Sequence, residues 1–182
     1  ADWDGRTKYT VMFGQGMAAN ALQTTSVIAT IANGGVSVPA RLVDGTISPS
    51  GRTIPVPAGE PTRVVSEKAA DQTLAMLEGV VAEGTGKSAA VSGYRVAGKT
   101  GTAQAPAADG SGYDGYTASF VGVIPAEDPK FAISVTLQRP RDGYYGGTAA
   151  APVFSDVAGF AMRHYKIPPS TEQPQLPPRE WK

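Results

Sequence analysis

Residues 92–106 read "SGYRVAGKTGTAQAP", and this stretch decides between two folds. Gly93, four further residues and then Gly98-Lys99-Thr100 satisfy the G-x-x-x-x-G-K-T pattern of a phosphate-binding loop. The same letters contain Lys99-Thr100-Gly101, a K-T-G triplet, and this pattern requires a strand along the edge of a cleft. A phosphate loop instead requires a glycine-rich turn between a strand and a helix. The flanking residues therefore decide which fold the stretch adopts.

Those flanking residues favour the strand. The variable positions are Tyr94-Arg95-Val96-Ala97, which have strand propensity and would curl poorly around a phosphate. After Thr100 the sequence Gly-Thr-Ala-Gln-Ala-Pro contains no helical run. A second candidate, Gly84-Thr85-Gly86-Lys87-Ser88, has Val81 where a phosphate loop has its first glycine. We therefore predict a strand that runs from Tyr94 into the triplet, and nucleotide binding is the least favoured hypothesis.

The composition excludes several other classes of function. The 182 residues are 41% apolar, as in a globular domain, and 16 basic residues balance 16 acidic ones. Without a long basic run, nucleic acid is not an expected partner. The chain has no cysteine and one histidine, so we predict no disulfide, no metal site and no cofactor.

Hydrophobic periodicity predicts three helices. The first covers Met17 to Asn33, the second follows an N-cap at Ser66 and ends before Gly84, and the third covers Pro152 to Tyr165. The apolar stripes predicted for the second and third helices are Leu74, Leu77, Val80 and Val81, and Val153, Val157, Phe160 and Ala161.

Strands are predicted between the helices. Residues 36–63 suggest short strands with a hairpin turn at Asp44-Gly45, and residues 83–93 suggest a flexible loop. After a predicted loop at 105–116, the strands 117–124 and 130–138 are joined by the turn "PAEDP". Short connections make the three strands after position 92 antiparallel neighbours, so the predicted class is α+β, an antiparallel sheet covered by helices.

The K-T-G triplet has a chemical logic on the edge of a cleft. Lys99 would be a fixed positive charge, and the hydroxyls of Thr100 and Thr102 could bind a substrate carboxylate. Gly101 would let a substrate lie against the backbone, and an N–H just beyond it could stabilise an oxyanion.

Five sequence blocks, which follow one another along the chain, connect this triplet with a known protein family. They are "MFGQG" (12–16), "EGTGKSA" (83–89), "VAGKTGTAQ" (96–104), "SFVGVIPAEDPKFAISV" (119–135) and "GYYGGTAAAPVF" (143–154). Over residues 10–167 the chain resembles the C-terminal half of the transpeptidase domain of a class B penicillin-binding protein of the cell-division type. The resemblance implies the penicillin-binding/serine β-lactamase-like fold. It assigns residues 1–167 to the C-terminal part of that domain and leaves 168–182 as a proline-rich tail.

The resemblance also implies roles for individual residues. Lys99 and Thr102 are the catalytic residues of this chain. Lys99 contacts the hydroxyl of the serine in the family's second motif, and the Thr102 N–H is one oxyanion donor. Thr100, Gly101 and Thr102 bind the carboxylate end of the donor or of a β-lactam. Tyr144 and Tyr145 match aromatic positions that line the cleft.

The nucleophile is not expected in this chain. The family uses an S-x-x-K motif, whose serine attacks the substrate, and an S-x-N motif. Ser66-Glu67-Lys68 is one residue short of the first, and no serine has asparagine two places on. We expect both motifs in an upstream segment or a companion polypeptide. The implied partners are peptidoglycan stem peptides, β-lactams and cell-division membrane proteins. The implied location is the extracytoplasmic face of the membrane, with an upstream anchor.

Three alternatives stay open. A serine β-lactamase or a D,D-carboxypeptidase of the same fold would share the triplet, and a penicillin-recognising sensor or scaffold would keep it without turnover. We expect His164 at a polar helix end, and Asp142, Glu78 and Glu83 as solvated charges rather than catalytic groups.

Overall fold

The computed structural model describes residue 5, residues 7–11, residue 14 and residues 17–178. Most of the "MFGQG" block, including Phe13, Gln15 and Gly16, therefore lies outside the described residues. The described helices are α1 (Thr7–Thr10), α2 (Ala21–Ala32), α3 (Glu67–Ala82) and α4 (Gly146–His164). The described strands are β1 (Val36–Ser37), β2 (Gly45–Ile47), β3 (Thr53–Pro55), β4 (Thr62–Arg63), β5 (Ala97–Pro106), β6 (Tyr113–Ile124) and β7 (Phe131–Gln138).

The largest sheet has the order β5-β6-β7 and is antiparallel throughout. Lys99 pairs with Val121, and Val121 pairs with Ser134, so the three strands are aligned across the sheet. The predicted α+β class and the predicted antiparallel neighbours are confirmed.

The first hairpin of this sheet is longer than predicted. β5 begins at Ala97 rather than Tyr94, which forms an isolated bridge to Val91, and β6 begins at Tyr113 within the predicted loop. The prediction of a loop over 105–116 was wrong because the turn is tight. The Ala107 N–H donates to Gly112 O at 2.9 Å, and Asp109 accepts the Ser111 N–H at 2.9 Å. These bonds let both strands extend to the turn.

Helix α4 covers one face of the sheet. Phe154 on α4 and Phe120 on β6 are fully buried and meet edge to face, with ring centroids 4.7 Å apart. The predicted stripe was wrong, since Val153, Val157 and Phe160 are 40%, 46% and 62% exposed. Small alanines allow the helix to approach the sheet closely, so the buried stripe lies on its neighbouring face. That stripe consists of Ala150, Ala151, Phe154, Ala158 and Met162.

Helices α2 and α3 cover part of the opposite face. Ile28 of α2 packs with Val121 and Val123 of β6, and Leu74 and Leu77 of α3 join the same cluster. Both helices begin at side-chain caps. Asn20 forms a capping box at α2, and Ser66 accepts the Ala69 N–H at α3, as predicted.

The segment 36–63 forms two small antiparallel pairs, β1-β4 and β2-β3. The predicted turn at Asp44-Gly45 was wrong, because Gly45 is the first residue of β2 and pairs with Pro55. The turn instead lies at residues 48–51, where the Gly51 N–H donates to Ser48 O at 2.9 Å. Gly51 has φ +80°, which glycine adopts without strain.

Residues 83–93 are an ordered connection rather than the predicted flexible loop. The Gly86 N–H donates to Val80 O at 3.0 Å, and a 3-10 turn at Lys87–Ala89 buries Ala89 completely.

The C-terminal segment contains no regular secondary structure over residues 168–178, yet it contacts the body of the fold. Tyr94 donates its hydroxyl hydrogen to Ile167 O at 2.7 Å. The Ser170 N–H donates to Gly93 O, and Ser170 Oγ accepts the Arg95 N–H, both at 2.9 Å. These bonds fix the chain immediately before β5.

Candidate active site

The K-T-G triplet lies on the outer strand of the sheet. β6 pairs with one edge of β5, and no strand of the described residues pairs with its other edge. This open edge faces a cavity of about 660 Å³. Residues 99–103 line it, together with Thr117 and Ser119 of β6 and Ser134 and Thr136 of β7. The triplet is thus presented on a rigid strand beside an open space.

The phosphate-loop interpretation fails on this geometry. Gly98 is buried within β5, and a Cβ there would come 2.5 Å from the ring of Phe120. The glycine therefore makes room for a core aromatic ring. A phosphate loop would begin its helix near Thr100, whereas β5 continues as a strand from Ala97 to Pro106.

Lys99 is an exposed cation at the wall of the cavity. Its ammonium donates to Thr100 O at 3.0 Å and to Thr100 Oγ1 at 3.3 Å. Within the described part of the chain, the ion pairs do not include Lys99. The strand edge thus carries a positive charge that no described carboxylate neutralises.

Thr100 has a second partner that the sequence did not indicate. Thr85, in the connection after α3, places its Oγ1 3.0 Å from Thr100 Oγ1. The pair is separated by fifteen residues, and a threonine in a glycine-rich loop carries no pattern that would reveal the contact.

Thr102 is joined to the first turn of α4. Its Oγ1 accepts the Gly146 N–H at 3.0 Å, which leaves the hydroxyl hydrogen of Thr102 available for another acceptor. A Cβ on Gly146 would collide with backbone atoms of Ser119 and Gly101, and one on Gly147 would collide with Thr85 O. The two glycines therefore allow the positive end of a 19-residue helix to dock beside the triplet.

The predicted tyrosines form an aromatic stack beyond the triplet. Tyr144 lies between Tyr116 and Tyr145, with ring centroids 4.4 Å from each. The hydroxyl of Tyr144 donates to the hydroxyl of Tyr145 at 3.2 Å, and this bond raises the pKa of Tyr144 above its ordinary value. Tyr116 pairs with Gln104, so the stack lies at the far end of β5. The three rings do not line the cavity described above. Tyr116 was not among the residues predicted from the sequence.

A buried ion pair lies behind the triplet. Arg95 donates two hydrogen bonds to Glu78, of 2.8 and 2.7 Å, and the Glu78 side chain is 6% exposed. The bond to Glu78 raises the pKa of Arg95. The prediction of Glu78 as a surface charge was wrong, because it lies on the α3 face that packs against the start of β5. A pair that spans seventeen residues follows from the tertiary fold rather than from helical spacing.

His164 ends α4, as predicted, and its ring stacks on Phe160 with centroids 5.5 Å apart. Asp142 is exposed in the loop before α4. Within the described residues, no three histidine or acidic side chains converge on a point that could hold a metal ion.

Residues 2–159 match the family described as "Penicillin binding protein transpeptidase domain". Over 181 residues the chain is 35% identical to the penicillin-binding protein PbpB of Mycolicibacterium smegmatis, covering 93% of this chain and 28% of that protein. Over 169 residues it is 38% identical to the peptidoglycan D,D-transpeptidase FtsI of Escherichia coli K12, covering 92% of this chain and 27% of that protein. The chain therefore spans less than a third of these relatives.

A solved structure is similar over almost the whole chain. Penicillin-binding protein 3 of Mycobacterium tuberculosis, in complex with aztreonam, superposes with a TM-score of 0.85 at 36% identity. The match covers 96% of this chain and 41% of that structure. It confirms the fold class that the five sequence blocks imply.

Proposed function

This chain belongs to the penicillin-binding protein transpeptidase domain family, and on that premise we propose that it forms one wall of a peptidoglycan D,D-transpeptidase site. The observation that carries the proposal is the position of Lys99 and Thr100 on the open edge of β5. Their charge and hydroxyl lie at the wall of a cavity of about 660 Å³, where a carboxylate-bearing acyl donor fits the chemistry.

The proposed reaction is acyl transfer between stem peptides. A serine oxygen attacks the carbonyl of the penultimate D-Ala, the bond to the terminal D-Ala breaks, and the departing amine takes up a proton. An amine of a second stem peptide then displaces the serine, which recovers its proton as the cross-link forms. A β-lactam imitates the donor and leaves the serine acylated.

In this scheme the residues of the triplet have distinct tasks. Lys99 supplies positive charge near the substrate carboxylate, and the hydroxyls of Thr100 and Thr102 donate hydrogen bonds to it. Gly101 leaves space for the donor along the strand. The Thr102 N–H stabilises the oxyanion of the tetrahedral intermediate. Tyr144 and Tyr145, which stack beyond the triplet, contact the part of the donor that extends past the cavity.

The nucleophile comes from polypeptide outside these 182 residues. No serine of the chain stands in an S-x-x-K or S-x-N pattern, and the chain covers less than a third of the relatives it matches. Residues 1–167 are then the C-terminal part of the domain and 168–182 its tail. The complete protein acts with cell-division membrane proteins at the extracytoplasmic face, held by an anchor elsewhere. No helix among the described residues is long and apolar enough to cross a bilayer.

The test supplies the complete protein with a D-Ala-D-Ala stem peptide and an amine acceptor, and with a penicillin in parallel. Release of D-Ala together with cross-linked product supports a transpeptidase. Release of D-Ala without cross-linking would identify a carboxypeptidase, and repeated hydrolysis of the penicillin a β-lactamase. Stable acylation without D-Ala release would identify a sensor or scaffold.

A further inference from the structure

Thr85 lies in the "EGTGKSA" block, to which no role has yet been assigned, and its hydroxyl touches the triplet. Its Oγ1 lies 3.0 Å from Thr100 Oγ1, which is hydrogen-bond distance for two hydroxyl groups. The Lys99 ammonium approaches the same Thr100 oxygen at 3.3 Å. The Thr100 hydroxyl therefore has two neighbours of this chain, one of them an obligatory donor.

The loop that carries Thr85 is held in place from both sides. The next residue, Gly86, is buried and donates its N–H to Val80 O at 3.0 Å, which ties the loop to the end of α3. On the other side, Gly147 of α4 packs so closely on Thr85 O that a Cβ there would collide with it. Thr85 thus reaches Thr100 from a fixed backbone rather than from a mobile loop.

Either hydroxyl of the pair can donate to the other, and the inference takes Thr85 as the donor. A hydroxyl oxygen accepts up to two hydrogen bonds and donates one. If Lys99 and Thr85 both donate to Thr100 Oγ1, its acceptor capacity is filled and its own hydrogen must point elsewhere. A carboxylate, which only accepts, is then the partner that best uses that hydrogen.

We propose that Thr85 is a positioning residue, which orients the Thr100 hydroxyl as a hydrogen-bond donor to the carboxylate of the acyl donor. The inference rests on the proposed transpeptidase function. Without the Thr85 hydroxyl, the Thr100 hydrogen loses its fixed direction. Part of the free energy of carboxylate binding is then offset by the entropy lost when the Thr100 hydroxyl is ordered. Because the carboxylate is bound before and during acylation, the loss falls mainly on the affinity of the first complex.

The experiment compares Thr85→Val, which keeps the shape of the side chain, with Thr85→Ser, which keeps the hydroxyl. In the complete protein, rapid kinetics with a carboxylate-bearing penicillin separates the dissociation constant of the first complex from the rate constant of acylation. We expect Thr85→Val to weaken the first complex about three- to tenfold, the range for one hydrogen bond, with a smaller change in the rate constant. Thr85→Ser should stay within about twofold of the natural protein. Thr73→Val is the matched control, because the Thr73 hydroxyl donates to Ala69 O within its own helix, α3.

The pattern across the variants decides between a hydroxyl role and a packing role. Loss in Thr85→Ser with retention in Thr85→Val would overturn the inference, as would equal loss in both or no loss in either. The unaltered protein separates this inference from its premise. If the unaltered protein is not acylated, the proposed function fails; if it is acylated and Thr85→Val behaves identically, only the role of Thr85 fails.

Discussion

The two faces of the β5-β6-β7 sheet are built from the same strands but have different surroundings. On one face Phe120, Ile124 and Val135 pack under α4. On the other, Val121 and Val123 pack under α2 and α3. Further along that second face, Thr117, Ser119, Ser134 and Thr136 replace the apolar residues and line the cavity beside Lys99.

The difference follows from the two-residue period of a strand. In "FAISVTLQ" (131–138), Ile133, Val135 and Leu137 belong to the covered face, while Ser134 and Thr136 belong to the open one. One face anchors the sheet, and the other can carry hydroxyl groups because it does not have to form a continuous core. Changes on the covered face should therefore affect stability, and changes at Lys99 and the other residues beside the cavity should affect acylation.

The largest expected effect is on the covered face. Phe154→Ala removes a fully buried ring and should lower the free energy of unfolding of the complete domain by about 3–5 kcal/mol. Phe160→Ala on the same helix is the matched control, since Phe160 is 62% exposed. Urea unfolding measures both. Similar losses in the two variants would contradict the assignment of the buried stripe on α4.

The next effect is at the open edge. Lys99→Ala should reduce the second-order rate constant for acylation of the complete domain by penicillin about 10²-fold, because it removes the positive charge beside the substrate carboxylate. The unfolding midpoint should not change, because the Lys99 side chain is exposed. Lys130→Ala serves as control, because Lys130 is also exposed but pairs with Asp128 away from the cavity. Unchanged labelling of Lys99→Ala would overturn its place in the site.

A smaller loss of stability is expected behind the triplet. Glu78→Gln removes the nearer of two carboxylates that pair with Arg95 and should cost about 2 kcal/mol. The cost is less than for a fully buried pair, because Arg95 is 18% exposed and keeps Glu127 at 3.9 Å. Asp71→Asn on the exposed face of α3 should change stability by less than about 0.5 kcal/mol. Thermal unfolding of the two variants is the measurement, and equal midpoints would mean that the pair does not stabilise the packing of α3 on β5.

The smallest expected effect is in the tail. Ser170→Ala removes the acceptor of the Arg95 N–H and should lower the free energy of unfolding by about 1 kcal/mol. Thr171→Ala, one residue further along an exposed stretch, should have no measurable effect. Hydrogen exchange at the Arg95 amide gives the local readout. Equal protection in both variants would show that the tail does not hold the residues immediately before β5.

The sequence predicted the parts that depend on local patterns. The strands 117–124 and 130–138, the cap at Ser66 and the strand around K-T-G depend on neighbouring residues, and they are confirmed. The apolar stripe of α4 was wrong because Val153, Val157 and Phe160 fit helical spacing as well as the alanines that are buried. Periodicity identifies an apolar face, but the approach of the helix to the sheet decides which face is covered.

The missed contacts share a different cause. Arg95 with Glu78, Thr100 with Thr85 and Tyr116 with Tyr144 join residues that are distant in sequence. No local sequence pattern links the two residues of each pair, so only the three-dimensional arrangement reveals these contacts. Such contacts supply much of the surroundings of the triplet, while the triplet itself was found from its letters.

The most direct test of the account asks which polypeptide and which residue penicillin acylates. The protein, with every polypeptide that accompanies it, is treated with a fluorescent penicillin, denatured and digested, and the labelled peptide is identified by mass spectrometry. We predict a label on a serine outside these 182 residues, lost when Lys99 is changed to alanine. A label on a serine within residues 1–182 would contradict the claim that this chain supplies the wall of the site and not its nucleophile.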